Sequence, residues 1–133
     1  MGKMEKLKPQ EIVDFGLRYT YGELVKEGFE VLSIRPEPDM DPQILAKKDN
    51  ELYFIVIRTE VFPEVGDLPS ISRISQIQAH AMKHKAKCKF VSLGIMNAAA
   101  KNEADKSVLY KGGEFYVNYS GLHELLRSTQ TDR

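Results

Sequence analysis

The sequence predicts a single α/β domain built on a small mixed β-sheet with helices against its faces, and three observations carry that prediction. Residues 52–57 are six consecutive apolar residues rich in β-formers, the composition of a central strand buried on both sides. Residues 70–87 place Ile71, Ile74, Ile77, Ala81 and Met82 at helical spacing behind Ser70, a residue type that caps helix starts. A third apolar run follows at 90–96. A helix lying between two strands makes those strands parallel neighbours through a right-handed crossover.

The other elements follow in chain order. Pro9 suits the first turn of a helix and Gly28 its C-terminal end, with Ile12, Phe15, Tyr19 and Leu24 between them as an imperfect apolar stripe. Gly16 and Gly22 weaken that helix, each by about 1 kcal/mol relative to alanine. Phe29 fits the hydrophobic contact of a capped helix end. A short strand is expected over 31–34, and three prolines make 35–42 a loop. Residues 43–46 read as a strand, 48–50 as a turn and 52–57 as the second arm of a hairpin. Pro63 and Pro69 bound a further loop. Residues 98–105 suggest a short helix, 107–110 and 114–119 a hairpin around Gly112 and Gly113, and 121–127 a last helical turn. The expected core spans about 9–127, with a polar tail over 128–133.

Composition bounds the function. With 133 residues, 42% hydrophobic and 29% charged, the chain has the make-up of one ordinary globular domain. No apolar run approaches the ~18 residues of a membrane span, and residues 1–15 lack the apolar stretch of a secretory signal. A single cysteine, Cys88, has no internal disulfide partner, so a cytoplasmic protein is expected. Net charge is zero, but residues 1–67 hold 9 basic and 14 acidic side chains. The remainder holds 10 basic and 5 acidic. Between Leu68 and Asn102 there is no acid, while Arg73, Lys83, Lys85, Lys87, Lys89 and Lys101 are basic. Such a stretch either lines a solvated face or meets an anionic partner such as DNA or RNA.

The order helix, strand, hairpin, helix, strand resembles the PD-(D/E)xK, or restriction-endonuclease-like, nuclease superfamily, closest to its small bacterial and resolvase-like branches. The resemblance covers about residues 14–97 and lies in the Gly28-Phe29 helix end and the hairpin 43–58, as a pattern of apolar positions. It implies an α-β-β-β-α-β core and metal-dependent cleavage by an Asp and a Glu-x-Lys pair. In this sequence the aspartate position holds Gln43, the glutamate position Val56 and the lysine position Arg58. Magnesium needs hard, anionic oxygen ligands; valine supplies none and glutamine only a neutral carbonyl. Arg58 retains a fork suited to phosphate, for binding without cutting. The resemblance therefore implies a degenerate, catalytically inactive member with no cofactor. Relocated acids are the route back to activity: Asp39 and Asp41 precede the first hairpin strand, Glu60, Glu64 and Asp67 follow the second, and Asp41 and Glu60 are the best placed.

Other constellations are weaker. His80, His84 and Cys88 recur every fourth residue, as a zinc-ligand row on a helix would. Gln76 and His80 are similar to a glutamine-based motif on the corresponding nuclease helix, with histidine where tyrosine stands there. Tyr110, Phe115, Tyr116 and Tyr119 suit either base stacking or, more often, a core face and an oligomer contact. Gly112 and Gly113 form a turn, and no nucleotide-binding glycine fingerprint is present. Two functional expectations result. One is a nuclease-derived protein-interaction or structural module acting as a homodimer, favoured by overall neutrality. The other is a non-cleaving nucleic-acid-binding module using a basic helix over 70–89 with Arg58, Arg73, Lys83, Lys85 and Lys87 as contacts.

Overall fold

A computed structural model describes residues 4–37 and 40–126. Helix α1 spans Pro9–Lys26, and its first turn is closed by the Glu11 carboxylate, which accepts from the Lys8 N–H at 2.7 Å. Its end is a Schellman arrangement. Gly28 at φ 92° turns the chain, Gly28 N–H donates to the Val25 carbonyl, and Phe29 N–H donates to the Leu24 carbonyl. Leu24 and Phe29 are both buried in the same core cluster, the contact this cap requires.

Strands β1 (Glu30–Ile34), β2 (Ile44–Lys48), β3 (Glu51–Val61), β4 (Ala86–Asn97), β5 (Phe115–Tyr119) and β6 (His123–Glu124) form one open mixed sheet in the order β1-β2-β3-β4-β5, with β6 also beside β4. Asp49 and Asn50, both at positive φ, make the two-residue turn of the β2–β3 hairpin and set its register at Lys48 opposite Glu51. Helix α2 (Ile71–Lys83) carries the chain over to β4, which runs parallel to β3. The Ser70 side chain accepts from the Arg73 N–H at its start.

The apolar run in β3 feeds two cores, one on each face. Ile55 and Ile57 pack with Leu17, Leu24, Ile44, Val91 and Leu93 beneath α1. Val56 packs with Ile74, Ile77, Phe90 and Leu125 beneath α2. Gly16 lets α1 approach β3 closely, because a Cβ there would overlap the Thr59 hydroxyl.

Four expectations are corrected. The second helix stops at Lys83 instead of 87: Lys85 at φ 56° reverses the chain, and Ala86, Cys88 and Phe90 then alternate inward as strand residues. There is consequently no basic helix over 70–89, since Lys87 and Lys89 stand on β4. Residues 107–110 do not pair with 114–119; β5 pairs with β4, Tyr116 opposite Met96, and Tyr110 bridges to Lys6. Residues 98–105 hold only the start of a 3-10 turn, Ala104–Ser107, and 121–126 hold no helical turn but the two-residue strand His123–Glu124, with Leu125 sealing the α2 core. Asp39, Arg127 and the tail 128–133 lie outside the described residues.

Candidate functional site

The residues singled out in the hairpin do converge. Gln43 immediately precedes β2 and is buried, and its side chain is fully used. Its Oε1 accepts from the Ile57 N–H at 2.6 Å, while its Nε2 donates at 2.7 Å to the Met40 carbonyl and at 2.7 Å to Asp41 Oδ1. Arg58, on β3, grips Asp41 through a bidentate pair, with both guanidinium nitrogens 2.9 Å from the two carboxylate oxygens. Arg73, in the first turn of α2, comes within 3.8 Å of the same carboxylate. The Asp41 side chain is only 2% exposed, against 27% for Arg58. Burial on its own would raise the Asp41 carboxyl, but the hydrogen bonds from Arg58 and Gln43 and the two guanidinium charges hold it below the usual carboxylate range.

Val56 is fully buried against α2 and presents no polar atom to this cluster. Glu60 lies two residues beyond Arg58, exposed, at a cleft of about 200 Å³ that Gln43 and Arg58 also line. Glu64 is exposed, and Asp67 accepts from the Leu68 N–H at 2.8 Å. What the arrangement does chemically is hold one carboxylate with two guanidinium groups and an amide. This leaves few Asp41 lone pairs for a cation. Among the described residues, no group of three or more His, Cys, Asp and Glu side chains is placed to hold a metal ion.

The basic stretch divides into paired and unpaired members. Lys87 meets Glu51 at 2.6 Å and Lys89 meets Glu124 at 2.8 Å, each across adjacent strands. Lys83 and Lys85, at the turn between α2 and β4, are exposed and make no ion pair among the described residues. The histidine row is broken as well. His80 on α2 and His84, the residue that ends it, have ring centroids 5.0 Å apart, and both lean on Phe54. Cys88 stands on β4 opposite Phe54, and burial pushes its thiol up, toward the protonated form that binds metal poorly. Gln76 is exposed on α2. On β5, Phe115 packs edge-on against Phe15 and Tyr119 lies against Tyr19, while Tyr116 points outward at 61% exposure.

Two features escaped the sequence reading. One is the Asp41–Arg58 lock itself, whose partners are 17 residues apart, one in the loop before β2 and the other on β3. The other is a hollow of about 150 Å³ beside Phe54, lined in part by Arg35, Leu45, Leu52, His80 and His84.

The family described as Domain of unknown function (DUF8840) matches residues 10–125, which contain the whole sheet, α2 and all of α1 but its first residue. The chain belongs to this family. No curated protein matches the sequence.

Proposed function

We propose that this chain is a nuclease-like domain without catalysis, acting as a homodimeric interaction or structural module. The observation that carries the reading is the Asp41–Arg58 ion pair. Asp41, the acid beside Gln43, is bound through both oxygens to a guanidinium, and Val56, at the position where the resemblance calls for glutamate, is a fully buried valine. Hydrolysis of a phosphodiester in this class needs a metal ion to generate the nucleophile and absorb charge. A carboxylate neutralised by arginine is a poor ligand for a strict, oxygen-demanding cation. The αβββαβ order of the first part of the chain supports the nuclease-like half of the reading.

The interaction half draws on exposed apolar side chains near one edge. Tyr21 and Val25 lie one turn apart on α1, and Leu32 and Ile34 lie on β1, the edge strand that α1 contacts. Exposed apolar groups gathered at an edge favour a protein interface. Sedimentation equilibrium tests this directly. The wild type is expected at twice 15.1 kDa in the micromolar range, and Val25→Glu with Leu32→Glu at the monomer mass. A wild type that stays monomeric throughout overturns the homodimer.

Lys83 and Lys85 support a second reading, nucleic-acid binding without cleavage. Lys87, Lys89 and Arg58 are weaker candidates for it, being already neutralised. Fluorescence anisotropy of labelled DNA and RNA over a salt series decides: affinity that falls steeply with salt and is lost in Lys83→Glu with Lys85→Glu supports it. Salt-independent or absent binding removes it.

A further inference from the structure

We propose that the hollow between α2 and the β1–β3 part of the sheet binds a small aryl carboxylate. The inference is independent of the nuclease-like reading. A cavity of about 150 Å³ matches one aromatic ring. Its floor is apolar: Leu45 and Leu52 are paired-strand residues of the hairpin, and Phe54 presents its ring from β3. One wall is aromatic, because His80 stands edge-on to Phe54 at 5.2 Å between centroids and His84 is 6.0 Å from the same ring.

Among the described residues, the polar side chains around the mouth do not include an acid: Arg35, His80 and His84 are exposed there, and no described carboxylate lines the hollow. Arg35 differs from Arg58 in the way that matters. Arg58 is occupied by Asp41, whereas Arg35 makes no side-chain hydrogen bond or ion pair among the described residues, so its fork is open to a carboxylate. An apolar floor of one ring's size under an unpaired guanidinium is complementary to an aromatic ring carrying one negative group. A neutral ring would leave the arginine unanswered, and a small aliphatic acid would leave the floor wet.

The test is a ¹H–¹⁵N correlation titration of the wild-type protein with benzoate, with benzyl alcohol as the neutral isostere and acetate as the anion without a ring. Benzoate is expected to shift the amides of Leu45, Phe54 and His80 saturably, with a dissociation constant of about 1 mM or tighter. Benzyl alcohol and acetate are each expected to bind at least about tenfold more weakly, and Arg35→Gln to weaken benzoate by about tenfold. Arg35 is exposed, so this variant keeps the fold. Absence of saturable shifts up to about 20 mM benzoate overturns the proposal. So does equal binding of benzyl alcohol, or benzoate shifts that cluster away from the hollow.

Discussion

Replacing Asp41 by asparagine removes the charge at the centre of the hairpin site while keeping the shape of the side chain. Arg58 would lose a bidentate, charge-assisted pair with both contacts at 2.9 Å, and the new amide would point donors at a guanidinium that has only donors. Breaking a buried ion pair from one side costs about 3–5 kcal/mol. Arg58 is 27% exposed, so water recovers part of its hydration and the expected loss is about 2–3 kcal/mol. For a domain of this length that corresponds to a melting temperature lower by about 6–12 °C. Urea unfolding followed by circular dichroism reads the change, and a double-mutant cycle with Arg58→Met should return a coupling of about 2 kcal/mol.

The pH dependence has a definite sign. The folded carboxyl sits below its unfolded value of 3.8, so its contribution is present above that value. It is lost as the pH falls through the lower folded value. The stability gap between wild type and Asp41→Asn should therefore narrow on acidification from about pH 4 downward. An Asp41→Asn cost under about 0.5 kcal/mol, or an additive cycle, would refute the claim that this carboxylate is locked.

The two glycines of α1 should behave oppositely. A Cβ at Gly22 meets nothing within 4 Å, so Gly22→Ala should stabilise by up to about 1 kcal/mol, whereas Gly16→Ala, which overlaps Thr59, should destabilise by about 1–3 kcal/mol in the same urea assay. Cys88, its thiol raised by burial and by Glu124, should react with a thiol reagent at pH 8 at least about tenfold more slowly in the native protein than in urea. Burial first, then Glu27 and Glu23, push the Tyr119 phenol up to about 12, and its hydroxyl is buried without a hydrogen-bond partner among the described residues. Tyr119→Phe should remove the highest step of the ultraviolet titration, and its stability should lie between unchanged and about 1 kcal/mol above wild type.

The sheet's centre was legible because its physics is local. Six apolar residues in a row require burial on both faces, and Ile55 and Ile57 duly face α1 while Val56 faces α2. The end of α2 was not legible. Lysines at 83, 85, 87 and 89 fit the outside of a strand as well as a helical face, and the reversal at Lys85 uses a positive φ that no glycine announces. The C-terminal pairing was missed because β5 takes a distant partner, β4, in place of the segment just before it. Gln43, Val56 and Arg58 stood out only through a resemblance, and the use of Asp41 as the counter-ion of Arg58 depends on a hairpin register and a loop that only the folded chain brings together.

A cleavage assay tests the central claim most directly: labelled single- and double-stranded DNA and RNA incubated with the purified protein in Mg²⁺ and in Mn²⁺. With Asp41 bound to Arg58 and Val56 buried, no cleavage above the level of a buffer control is expected. Metal-dependent cleavage that disappears in both Asp41→Asn and Glu60→Gln would contradict it, and would make the relocated acids a working site.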